Sequence, residues 1–285
     1  MGIKLIKMRF LTLKKNSVSD GMCSQLMRRL RIWGYCLLHK EAFTYVHSQI
    51  TKVAHGASAD EVETFFNLGY NEISIEKCKS EDLEYRSGRY GDNVECSRYF
   101  KLNPEKYNLI RDELLAKMSI TGKPKLEFDS KKNKIAVHIR RGDICNNDEL
   151  FSKKACSDEY YIKAIENVLQ RETKKESEIY IFSENVYNNN ALKGIDIFKK
   201  IKNTKKFKSK IFIDTCPFHS LWHMINSDYL VTSHGAYSEF ASILCRGKVL
   251  VPDKSVNSQY NRSLYNSEYI KVVDDVSLTG LNYFL

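Results

Sequence analysis

The sequence predicts an α/β protein, and three observations carry that expectation. Short apolar runs alternate with longer stretches of helical periodicity, most clearly between 135 and 252. Such alternation implies parallel pairing with right-handed crossovers. Several of the runs end on charged, hydroxyl-bearing or glycine residues, the place where open α/β sheets hold their ligands. The 285 residues, 42% hydrophobic and 12% aromatic, are enough for two modest domains with real cores and argue against disorder.

The first strand is expected over Lys4–Leu13, followed by the polar turn Asn16–Gly21. A helix comes next, because Leu26, Leu30, Trp33 and Leu37 recur at helical spacing while Arg28, Arg29 and Arg31 fall on other faces. Between Val53 and Met118 the pattern is mixed helix and loop. Thr121–Lys125 and Asp129–Asn133 flank the expected crossing between domains.

From there the pattern sharpens. Ile135–Ile139 is a strand, and a helix from Asp158 follows with Tyr161, Ile165, Val168 and Leu169 on its apolar face. Glu178–Phe182 is the next strand, ending at Ser183 and Glu184. A lysine-rich helical stretch leads to the strand Lys210–Ile213, which ends at Asp214. Pro217 suits the first turn of a helix whose buried stripe is Phe218, Leu221, Trp222 and Ile225. Tyr229–Thr232 is a strand, Ser233-His234-Gly235 a turn, and a helix through Leu244 precedes the strand Lys248–Pro252. This half reads as a Rossmann-like nucleotide-binding domain.

Composition narrows the function classes. A net charge of +10 favours an anionic partner. The chain lacks the clustered basic-aromatic pattern of a nucleic-acid binder, and the lysine run at 199–206 reads as a solvated connection. The chain contains no apolar stretch long enough to cross a bilayer and no signal-peptide core, so a soluble, cytoplasmic protein is expected. Eight scattered cysteines without a Cys-x-x-Cys pair point to free thiols in a reducing compartment and not to a zinc site.

The run Ile135-Ala136-Val137-His138-Ile139-Arg140-Arg141-Gly142-Asp143 is the most specific segment. A buried strand runs straight into two guanidiniums, a glycine and a carboxylate. The planar fork of arginine matches phosphate oxygens, and a diphosphate needs such compensation. Ser233, His234 and Gly235 stand between a strand and a helix, so a hydroxyl and helix-start N–H groups form a second candidate phosphate cradle. Asp214 either accepts bonds from a base or ribose or caps the helix carrying Pro217. No metal is expected: the nearest acidic pair, Asp274-Asp275, lies near the C-terminus, and His219 and His223 read as ordinary helix histidines.

His138-Ile139-Arg140-Arg141-Gly142-Asp143 resembles the shared motif of the α1,2-, α1,6- and protein O-fucosyltransferase superfamily. Ile181–Glu184 and Asn226–Ala241 are similar to two later motifs of that group, in the same order. Asp20–Leu26 is similar to its N-terminal glycine-rich loop, with Cys23 and Ser24 in place of a glycine and an asparagine. The resemblance implies a GT-B-like fold of two Rossmann-like domains with the active site in the cleft between them. It assigns 1–125 to the acceptor side and 126–264 to the nucleotide sugar, with 265–285 returning to the first domain. It further implies inverting, metal-independent transfer of a sugar, fucose from GDP-fucose in most members, to a hydroxyl of a glycan or glycoprotein.

Carried over by position, Arg140 holds the β-phosphate and His138 lines the donor pocket. Arg141, Gly21, Gln25, Ser183, Asp214, Ser233, His234 and Gly235 complete the donor site. Asp148, with Glu149 beside it, falls where some members have the base, though a solvated loop acid has the same appearance. A donor such as UDP-xylose, or a non-catalytic nucleotide- or glycan-binding module, is the alternative. The family's secretory members normally carry an anchor, so a bacterial or viral cytosolic setting is expected here.

Overall fold

The computed structural model describes residues 8–14, 20–54, 56–86, 104–142, 144, 155–172, 174–184, 207–252 and 270–273, with the backbone alone at 104–107 and 270–273. The chain divides into two compact units, Met1–Lys123 and Pro124–Leu285. Each is α/β around its own parallel sheet, as the alternating pattern predicts.

In the first unit the strands are β1 (Arg9–Leu13), β2 (Phe43–His47), β3 (Ile73–Ser74) and β4 (Leu83–Arg86), in the order β3-β2-β1-β4. Helix α1 (Met22–Leu38) buries Leu26, Leu30 and Trp33, but it also buries Arg29 and Arg31, which the helical pattern assigns to other faces. Arg29 is tolerated inside because its guanidinium donates to the carbonyls of Ser48 (2.8 Å) and Gln49 (3.1 Å). Helix α2 (Ala59–Phe66) starts on a capping box: the Ser58 hydroxyl accepts from the Glu61 N–H, and the Glu61 carboxylate accepts from the Ser58 N–H. Helix α3 (Pro104–Ser119) closes the unit, with Ile110, Leu114 and Met118 buried.

The second unit contains β5 (Asn133–Ile139), α4 (Asp158–Arg171), β6 (Ser177–Ser183), β7 (Phe207–Ile213) and α5 (Pro217–Ile225). It continues with β8 (Tyr229–Val231), α6 (Ala236–Leu244), β9 (Lys248–Pro252) and β10 (Ile270–Val273). Its sheet runs β10-β9-β8-β5-β6-β7, every described pair parallel. Within 265–285, β10 pairs with β9, with Ile270 opposite Val249.

Strand order reverses at β5: the chain winds outward through β6 and β7, then returns to place β8 on the other side. That reversal is the topological switch point, where the loops after adjacent strands part and leave room for a ligand. Side chains of β5 alternate between two layers. Ile135, Val137 and Ile139 pack on Tyr160, Tyr161, Ala164 and Ile165 of α4, so their neighbours face the opposite layer.

Candidate functional site

The alternation of β5 separates the polar residues at its end. His138 and Arg140 share one face; Ile139 and Arg141 share the other. The buried guanidinium of Arg141 follows Ile139 toward α4. It donates to the carbonyls of Arg140 (3.1 Å) and Cys156 (3.2 Å), pairs with Asp158 (3.3 Å) and lies over the Tyr161 ring. Those bonds tie the strand exit to the start of α4.

Arg140 turns toward the loop after β8. Its Nη1 donates to the carbonyl of His234 (3.3 Å), and the side chain is half-buried. Gly235 forms the other wall. With φ +124° it has a backbone conformation that side chains rarely adopt, and an added Cβ would stand 2.4 Å from Arg140 Nη1. Gly235 is also the N-cap of α6, with no side-chain cap. The N–H groups of the first helical turn therefore begin beside the guanidinium, one positive end next to another.

His138 lies beneath this pair, buried, with its Nδ1 2.5 Å from Ser238 Oγ and 2.8 Å from Ser233 Oγ. The Ser233 N–H donates to Ser238 Oγ (3.1 Å), and the two hydroxyls are 3.1 Å apart. Tyr237 packs its ring on His138 with centroids 5.1 Å apart and donates its hydroxyl to the Pro217 carbonyl. Residues about a hundred positions apart thus meet at the switch point. Ser238 was not singled out by sequence reasoning, since a lone serine in an amphipathic helix reads as surface. Its place in the first turn of α6, shortly after Ser233, is the signal that could have found it.

The next two strand ends are stitched to this one. Ser183 Oγ donates to the Ile139 carbonyl (2.8 Å), and the Asp214 N–H donates to the Ser183 carbonyl (3.1 Å). Asp214 is exposed, with φ 53°. The N-cap of α5 is Cys216, without a side-chain bond. Asp148 and Glu149 lie outside the described residues, as does Asp143.

Gly21 and Gln25 stand in the first unit. Gly21 is the N-cap of α1, and Gln25 Nε2 donates to the carbonyls of Asp20 (2.9 Å) and Lys52 (2.6 Å). Gln25 therefore joins the loop after β1 to the loop after β2.

Glu127, His219 and His223 bring three potential ligand atoms within 4.8 Å of one another. Their bonds are those of a scaffold. His223 Nε2 accepts from the Glu127 N–H (2.9 Å), and its Nδ1 donates to the His219 carbonyl (2.8 Å), so both ring nitrogens are engaged. The Glu127 carboxylate is bound to Lys210 and His219. An ion there would have to displace a backbone hydrogen bond and compete with an ammonium.

The model of the family described as "Glycosyl transferase family 11" matches residues 58–272. No curated protein matches the sequence significantly. Among solved structures, a mutant of Arabidopsis thaliana FUT1 in complex with GDP is similar at TM-score 0.44 and 9% identity, over 87% of this chain and 71% of that one. The E. coli ADP-heptose lps heptosyltransferase II aligns at TM-score 0.42 and 8% identity, over 97% and 93%. POFUT1 in complex with GDP-fucose aligns at 0.30 and 9%, over 84% and 70%. Among the described residues no helix is long and apolar enough to cross a membrane.

Proposed function

This chain belongs to glycosyl transferase family 11 and is a glycosyltransferase, and we propose that it transfers fucose from GDP-fucose to a glycan hydroxyl, with inversion and without a metal. The observation that carries the proposal is the convergence of Arg140 with the N-terminus of α6 at the switch point of the second sheet. A sugar diphosphate breaks by placing negative charge on its β-phosphate. A guanidinium and a helix start aimed at one spot stabilise that charge as it develops, the work a divalent ion does elsewhere.

In this reading Arg140 grips the β-phosphate, His138 and Ser233 contact the diphosphate, and the helix start after Gly235 receives the remaining oxygens. Asp214 reaches the base or ribose. Asp148 or Glu149 takes the proton of the acceptor hydroxyl as it attacks the anomeric carbon from the face opposite the diphosphate. The C–O bond to phosphate breaks, GDP leaves with both electrons, and the product has inverted configuration. Arg141 holds the arginine loop in place through Cys156 and Asp158.

The test is transfer from GDP-fucose and, in parallel, UDP-xylose to a panel of glycans, in excess EDTA. Expected is turnover with GDP-fucose that EDTA leaves intact, and a fall in kcat/KM of roughly 10²–10³-fold in Arg140→Ala at an unchanged melting temperature. Preference for UDP-xylose would overturn the donor, dependence on added Mn²⁺ the metal-free chemistry, and normal activity in Arg140→Ala the site. Absence of both transfer and slow donor hydrolysis, with nucleotide still bound, would make the chain a binding module.

A further inference from the structure

The geometry points to Ser238 as a positioning residue that sets the tautomer of His138, placing the imidazole proton on Nε2. This rests on the donor site described above and deepens it. Ser238 Oγ accepts the N–H of Ser233, which engages one of its lone pairs. Its own proton then needs an acceptor. Among the described residues two are within reach: His138 Nδ1 at 2.5 Å and Ser233 Oγ at 3.1 Å. The shorter contact takes the proton, because a hydroxyl facing a basic imidazole nitrogen forms the stronger bond.

Nδ1 is thereby an acceptor, and the neutral ring carries its hydrogen on Nε2. Ser233 Oγ, 2.8 Å from the same nitrogen, completes the arrangement by donating to Ser238 or to the ligand. The effect is preorganisation. An imidazole held as a donor on one nitrogen meets an anion without having to change tautomer, whereas the opposite tautomer would present a lone pair to it. All three groups are buried, so water does not substitute readily for the serine.

The decisive measurement is long-range ¹H–¹⁵N correlation NMR on ligand-free protein labelled at histidine, with His138 assigned from His138→Asn. Expected in the wild type, at a pH where the ring is uncharged, is a single tautomer protonated on Nε2. Ser238→Ala should mix or reverse the tautomers and raise KM for the donor about tenfold, the scale of one hydrogen bond. Ser238→Thr, which keeps the hydroxyl, should restore both. A proton on Nδ1 in the wild type overturns the assignment whether or not any variant folds, and so does an unchanged spectrum in Ser238→Ala. The tautomer is read with no donor present, so a chain inactive toward GDP-fucose overturns the proposed reaction and not this assignment.

Discussion

A methyl group at position 235 strains the backbone and displaces the end of the Arg140 side chain. It would require φ +124° with ψ 160° from a residue with a side chain, a region essentially confined to glycine, and it would meet Arg140 Nη1 at 2.4 Å. Gly235→Ala is therefore expected to cost about 1–3 kcal/mol of stability in urea unfolding. The folded fraction should also lose donor affinity, because the guanidinium moves before the backbone does. Unchanged nucleotide binding in that variant would mean that Arg140 does not need this wall. The neighbouring arginines show what could be read at this level. The motif marks both Arg140 and Arg141, yet adjacent positions on a strand exit point into opposite layers, so one reaches the helix-start loop while the other braces α4. Alternation alone could have told them apart. Ser238 was less legible, because only its place shortly after Ser233 sets it apart from an exposed helix serine.

Helix α5 holds the segment that enters the second unit. Glu127 is bound from three elements: its N–H to His223, its carbonyl to the hydroxyl of Tyr180 on β6, and its carboxylate to Lys210 on β7. Fully buried His223 serves this anchor only as the neutral ring, and burial holds its pKa below the ordinary 6.5. The unfolded chain takes up a proton near pH 6.5 that the folded chain refuses, so this residue removes stability as pH falls through that value, until the folded pKa is reached. The slope it adds is at most one proton, about 1.4 kcal/mol per pH unit. Glutamine has an acceptor and a donor for the same two bonds, so His223→Gln should flatten urea-unfolding stability between pH 7 and 5. An identical slope in the variant would assign the acid loss elsewhere. The second unit's elements were largely visible in advance because buried parallel strands are unbroken apolar runs. In the first unit β2, β3 and β4 went unread: they are short and carry polar residues such as His47, Ser74 and Glu84. The capping box at Ser58 and Glu61, ahead of Val62, Phe65 and Phe66, was a legible start for α2.

Two sheets with separate cores imply two stabilities in one chain, and a ligand raises only the stability of what it binds. Arg140, His138, Ser233 and Gly235 all belong to Pro124–Leu285, and the net charge of +10 over the whole chain favours an anionic ligand. GDP at a hundred times its dissociation constant should stabilise its unit by about 2.7 kcal/mol. Hydrogen exchange can locate that gain. Amides of β5, β8 and β9, which open with the second unit, should exchange about a hundredfold more slowly with GDP present. Amides of β1 and β2 should change far less, since Gln25, the side chain expected to reach the donor from the first unit, already bridges Asp20 and Lys52. Arg140→Ala should abolish the gain in β5 while leaving exchange without nucleotide as it was. Protection that rises only in β1 and β2 would move the nucleotide to the loop at Gly21, and with it the charge that drives the leaving group out.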